Sequence, residues 1–161
     1  MKKEQRRDPA IKDLLETEIL EAIIRKAQVC HMAMVDGDKP YVLGFNFGYV
    51  PGAIYLHSGM RGKKFDVIAQ NPNVAVYFDV DHRLFARNHE VGCSWRMAYR
   101  SVLAHGKACL VENFDEKVMA LNLIMKQYSD KDDYVFGKPA VNNVAIIRID
   151  VHEMTGRSFE Y

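Results

Sequence analysis

The spacing of apolar positions changes several times along the chain. Ile19, Leu20, Ile23, Ile24 and Ala27 recur at steps of three and four, which predicts a helix from Glu18 to Ala27 with one face laid on a sheet. Thr17, just before it, is placed to cap its first turn. Val29 to Val35 reads as a strand, Asp36 to Lys39 as a turn, and Tyr41 to Tyr49 as a second strand that ends at Pro51-Gly52. Ala53 to His57 is a third, short strand, and Ser58 to Gly62 is too polar and glycine-rich to continue it. A short helix over Lys63 to Gln70 follows, with Phe65, Ile68 and Ala69 inward. Asn71-Pro72-Asn73 stops it, because the residue before a proline avoids helical dihedrals.

Val74 to Val80 predicts a fourth strand and Asp81 to Gly92 a polar loop. Cys93 to Glu112 is long and β-rich, with Gly106 as a bend or bulge in mid-strand, and such a strand suits a barrel. From Asp115 to Tyr128 a second amphipathic helix shows Val118, Leu121, Ile124, Met125 and Tyr128 at helical steps. Ser129 to Asn143 reads as an exposed loop, Val144 to Ile149 as a last buried strand, and the remainder as a polar tail. Six strands without regular alternation with helices point to an antiparallel barrel, mainly β with flanking helices, over a doubly wound sheet.

Composition narrows the class. A chain of 161 residues has the size of one domain, here 1–161 with residues 1–16 expected as a mobile N-terminal tail. With 22 Lys plus Arg against 21 Asp plus Glu, no global field draws it to nucleic acid or an acidic membrane, so any anion site is local. Cys30, Cys93 and Cys109 are odd in number, lack C-x-x-C spacing and lie in strand-like runs, so buried reduced thiols are expected. Neither a secretory core nor a membrane-length apolar run is present, and a reducing cytoplasm is the expected location.

The stretch that carries chemistry is Tyr55-Leu56-His57-Ser58-Gly59-Met60-Arg61-Gly62-Lys63-Lys64. A strand ends in a hydroxyl, two glycines and three cations just before a helix, and those donors suit a phosphate. The spacing is not that of a P-loop. Two residues separate Gly59 from Gly62, and Lys63 is followed by Lys64 where a Ser or Thr is required. The competing reading is a solvated basic turn, which spacing alone leaves open. Asp79, Asp81 and His82 do not make a metal site, because residues two apart share a strand face and His82 falls off it.

Four runs together resemble the pyridoxamine 5'-phosphate oxidase-like, FMN-binding split-barrel superfamily, and most nearly its nitroimidazole-resistance branch. They are Phe45-Asn46-Phe47-Gly48-Tyr49, the segment from Tyr55 to Lys63, Tyr99-Arg100-Ser101-Val102 with Gly106 behind it, and Glu153-Met154-Thr155-Gly156. The resemblance implies FMN as cofactor, its phosphate held by Ser58, Arg61, Gly62, Lys63 and Lys64. It places the isoalloxazine along Leu43, Phe45, Asn46 and Phe47, with aromatic and aliphatic side chains over its face. It implies a homodimer with FMN at the interface, where Trp95, Arg96 and Arg100 reach the flavin from the second subunit. His57 matches a histidine near the flavin, a candidate proton donor, although a lone histidine at a strand end is as readily structural.

The implied activity is reduction of a small electron-poor acceptor by an FMN-dependent oxidoreductase, the flavin supplying the redox chemistry. The alternatives are a non-catalytic flavin-binding module, or a barrel that takes haem or a deazaflavin, with His57 or His105 as the only guesses for an axial ligand. True pyridoxamine-phosphate oxidases carry an Arg-x-His-type motif near the C-terminus. Met154 to Tyr161 lacks it, which argues against vitamin B6 oxidation.

Overall fold

The computed structural model describes residues 8–129 and 131–161. In chain order the elements are β1 (Ile11–Leu14), α1 (Thr17–Lys26), β2 (Cys30–Asp36), β3 (Lys39–Phe45), β4 (Phe47–Val50), β5 (Ala53–Gly59), α2 (Lys64–Gln70), β6 (Asn73–Ala86), a single 3-10 turn at Gly92–Ser94, β7 (Trp95–Val111), α3 (Phe114–Tyr128), α4 (Lys138–Asn142) and β8 (Val144–Phe159). All strand pairs are antiparallel, in the order β3-β2-β6-β7-β8-β5-β4, with β1 added to β8. The expected antiparallel split barrel is what the chain forms.

Its eight strands exceed the expected six for two reasons. The run Tyr41 to Tyr49 breaks at Asn46 into β3, which pairs with β2, and β4, which pairs with β5. Ile11 to Leu14 pairs with Phe159 to Gly156, so this part of the expected mobile tail is a strand, and residues 1–7 lie outside the described residues. β6 runs on through the polar stretch to Ala86. A register shift between Val80 and Arg83, with Asp81 at φ 61, lets the ladder with β7 resume. The expected polar tail is likewise the second half of β8, because Val151 to Phe159 finds partners in β7 and β1. Gly106 stands at a register shift, as expected.

Smaller differences follow from packing. Thr17 is the first helical residue and Glu16 precedes it without a side-chain cap. α2 buries Lys64, Val67 and Ile68, while Ala69 is exposed. The 129–143 segment contains α4, pinned by buried Val141. All three cysteines are free, but only Cys30 is buried, and Cys93 is exposed within the 3-10 turn.

The barrel interior holds Met32, Phe47, Ile54, Leu56, Val76, Phe78, Ile147 and Ile149, with Leu20, Ile23 and Ile24 of α1 and Val67 and Ile68 of α2 closing it. Phe47 meets Phe78 edge to face at 4.9 Å between ring centres. A second cluster of Tyr55, Val111, Ala120 and Ile146 lies outside the barrel, where α3 covers β4 and β5. α3 starts on a proper cap, the Asn113 side chain accepting from the Glu116 amide at 2.9 Å.

Candidate functional site

β3 ends the strand order, so one edge of it carries backbone groups that no other strand among the described residues pairs. The segment leaving β5 lies against the β2–β3 hairpin. The Lys63 ammonium pairs with the Asp36 carboxylate at the end of that hairpin and stands 5.7 Å from the centre of the Tyr41 ring. Hydrogen bonding to Asp36 pushes the Lys63 ammonium above the usual lysine range. An open strand edge and a cationic loop therefore adjoin.

Lys64 is the unusual member of the loop. It opens α2 and is only 9% exposed. Its Nζ donates to the Arg61 carbonyl at 3.2 Å and stands 4.4 Å from the centre of the Phe65 ring. No carboxylate among the described residues pairs with it. Burying an ammonium without a counter-charge is costly, and a phosphate delivered to this loop would supply one. Gly62 lets the chain fold over the ammonium. Its φ is +136, and a Cβ there would stand 3.0 Å from Lys64 Nζ.

Ser58, half-buried at the end of β5, donates its hydroxyl to the Gly59 carbonyl at 3.1 Å and can turn to an oxyanion instead. Arg61 is exposed at the tip. The fold thus brings Ser58, Arg61, Gly62, Lys63 and Lys64 into one loop whose donors fit a phosphate monoester. The start of α2 contributes less than expected. It is seven residues long, and the Phe65 and Val67 amides are already taken by Gly62 and Lys63 carbonyls. Any affinity of the loop for an anion would therefore rest on its side chains.

Along β3 the side chains fall the other way from the sequence expectation. Leu43 faces Met32 across the ladder and Phe45 faces Cys30, both packed toward the core, and Phe47 is fully buried. They form the floor behind the strand. A ring on β3 would meet the open backbone edge together with Val42, Gly44 and Asn46, which are exposed. Period-two alternation anchored on buried Met32 and Met34 would have revealed Val42. The parts played by Asp36 and Tyr41 had no local signal, since their contact with Lys63 spans more than twenty residues of chain.

His57 and Ser58 leave β5 on opposite faces. His57 pairs with Ile146 and shares the α3 side with Tyr55, while Ser58 follows Ile54 and Leu56 on the barrel side. Burial lowers the His57 imidazole pKa below its ordinary value. Trp95 and Arg100 are also divided by alternation. Trp95 is exposed at the start of β7, its ring edge-on to His89 at 5.1 Å. Arg100 turns to the α1 side, where its Nε donates to Asp81 at 2.7 Å under the Tyr161 ring. Burial alone would raise the Asp81 carboxyl, but Lys26 and Arg100 outweigh it and hold it below the usual range. Arg96 pairs with Asp8 at 2.8 Å.

These features define a class, a split antiparallel barrel whose open edge adjoins a phosphate-competent loop. A model of the pyridoxamine 5'-phosphate oxidase family matches residues 16–158. The chain belongs to that family, a flavin-binding one. The crystal structure of a candidate 5-nitroimidazole antibiotic resistance protein from Bacteroides thetaiotaomicron is 35% identical, with a TM-score of 0.80, covering 92% of this chain and 89% of that one. An FAD and haem binding protein from Mycobacterium smegmatis, 15% identical, has a TM-score of 0.80 over 93% of this chain and 74% of that one. An FAD-binding protein from Mesorhizobium loti, 20% identical, has a TM-score of 0.65 over 92% and 97%. The last two share the fold. No curated protein matches the sequence. Among the described residues no helix is long and apolar enough to cross a membrane.

Proposed function

We propose that the chain binds FMN and, as a cytoplasmic homodimer, uses it to reduce a small electron-poor organic acceptor such as a nitroaromatic. The observation that carries the reading is Lys64, a buried ammonium without a carboxylate partner among the described residues, in a loop that also presents Ser58, Arg61 and Lys63. One compact donor cluster suits the terminal phosphate of FMN. Likeness to the nitroimidazole-resistance relative supports the choice of acceptor.

A bound flavin would supply the redox chemistry. The protein's part is to hold and orient it. Ser58, Arg61, Lys63 and Lys64 would hold the phosphate, and the open edge of β3 with Val42, Gly44 and Asn46 would hold the ring. His57, half-buried on the α3 side of β5, would serve as the proton donor. Dimer formation uses the outer sheet face, where Val35, Val42, Tyr77 and Met97 are exposed. On that face Trp95 is free to cover the partner's flavin, whereas Arg100 reaches it only if its pairing with Asp81 opens.

The test is turnover. Protein loaded with FMN and reduced anaerobically should be reoxidised by a nitroimidazole at a rate that rises with acceptor concentration. Reoxidation no faster than that of free reduced FMN would reduce the protein to a flavin carrier. Light scattering coupled to gel filtration should give twice the chain mass, and a monomer that binds FMN tightly would refute the shared site.

A further inference from the structure

The strand that carries the ring end of the proposed site is broken at Asn46, and the cause lies on α3. β2 and β3 pair from Asp36 with Lys39 down to Cys30 with Phe45. Continued in the same register, the next hydrogen-bonded rung would join Gln28 to Phe47. That rung is absent. The Tyr128 hydroxyl occupies it, accepting from the Phe47 amide at 3.1 Å and donating to the Gln28 carbonyl at 2.8 Å. One hydroxyl takes both backbone groups that would otherwise bond to each other. Phe47 is released to pair with Leu56 of β5, and β3 and β4 become the two ends of one sheet.

Two contacts fix the hydroxyl in place. A Cβ at Gly48 would stand 2.7 Å from the Ile124 amide nitrogen, so the backbone of α3 rests directly on β4. The neighbouring Gln127 side chain donates to the Ala27 carbonyl at 2.8 Å and the Arg25 carbonyl at 3.0 Å, tying the same turn of α3 to the end of α1. The Tyr128 ring stands edge-on to Phe47, 6.4 Å between centres. Helix, break and floor of the site form one unit.

We propose that Tyr128 is a positioning residue for the flavin ring, acting through Phe47 and Asn46 as the wedge that splits the strand. This rests on the FMN reading above, and it predicts a separation between the two ends of the ligand. Removing the hydroxyl lets Gln28 and Phe47 close toward each other, or leaves both unpaired. Either result moves Asn46 and the ring end of β3 and leaves the Ser58 to Lys64 loop as it was.

The experiment compares Tyr128→Phe and Gln127→Ala with the parent. In flavin-free protein, amide exchange at Phe47 should quicken about tenfold in Tyr128→Phe, the effect of one net hydrogen bond. With flavin bound, Tyr128→Phe should change the visible circular dichroism and weaken FMN and riboflavin by the same factor, since the phosphate end is intact. Gln127→Ala, which removes one of the two contacts that hold the hydroxyl, should shift that spectrum in the same sense as Tyr128→Phe but by less, and lower the melting temperature. If Tyr128→Phe does not fold, strand pairing and flavin dichroism are read from Tyr128→His, whose ring nitrogen can keep part of the wedge. Unchanged dichroism and affinity in Tyr128→Phe would overturn the proposal. So would a loss confined to FMN, which would place the effect at the phosphate. If the parent takes up no flavin, the FMN reading itself fails, and the exchange result then reports on the wedge alone.

Discussion

Lys64→Met separates the phosphate from the rest of the ligand. Methionine keeps the length and apolar stem of the buried side chain and removes its charge. In the free protein the ammonium has one carbonyl acceptor and a ring face, so the substitution gives up one modest hydrogen bond and relieves an unpaired buried charge. The unliganded variant should therefore melt at or above the parent's temperature. Binding should behave oppositely. A charge-assisted hydrogen bond to phosphate is worth about 1.5–3 kcal/mol, roughly a 12- to 150-fold weaker Kd for FMN. Riboflavin, which lacks the phosphate, should bind about as before. Lys63→Ala should cost much less, because its ammonium is largely exposed and already paired with Asp36, and exposed pairs contribute about 1 kcal/mol or less. Titration of the flavin-free variants by fluorescence quenching, at fixed salt, gives all four constants. Equal weakening of FMN and riboflavin, or a larger loss from Lys63→Ala than from Lys64→Met, would refute the reasoning.

Three further predictions concern Gly48 and His57. Gly48→Ala drives a methyl group into the Leu123–Ile124 backbone and should destabilise by about 1–3 kcal/mol, read as a lower urea midpoint with an unchanged slope. For His57, burial depresses the folded-state pKa below the unfolded value of 6.5, so its contribution to stability is present above that pH and fades as pH falls through the folded value. His57→Ala should flatten this acid-side loss. If His57 donates the proton, the same variant at equal flavin occupancy should lose the rise in turnover as pH drops below the ordinary histidine range, by about a hundredfold.

Much of this was legible in the sequence, and the failures share a cause. Helical spacing placed α1 and α3, and the turns at Asp36 to Lys39 and Pro51-Gly52 placed the hairpins, because those signals are local. β1, the second half of β8 and the extension of β6 are polar on their exposed faces, so composition read them as tails or loops. Pairing with a distant strand makes them β: β1 on β8, the end of β8 on β7 and β1, and the extension of β6 on β7. The break at Asn46 had no signal, since the residue that makes it, Tyr128, is 81 positions from Phe47 along the chain. At the site, the Ser58 to Lys64 loop could be read because its chemistry lies within seven residues. The orientation of Leu43 and Phe45, and the division of His57 from Ser58, depended on which face of each strand the barrel buries.

The central claim is that the loop binds the phosphate of FMN. Its most direct test is to incubate purified protein with excess FMN, remove the free flavin, denature what remains and identify the released cofactor by chromatography. The account predicts FMN at one equivalent per chain, with riboflavin retained far more weakly under the same washing. Absence of flavin after incubation, or retention of FMN and riboflavin to the same extent, would contradict it.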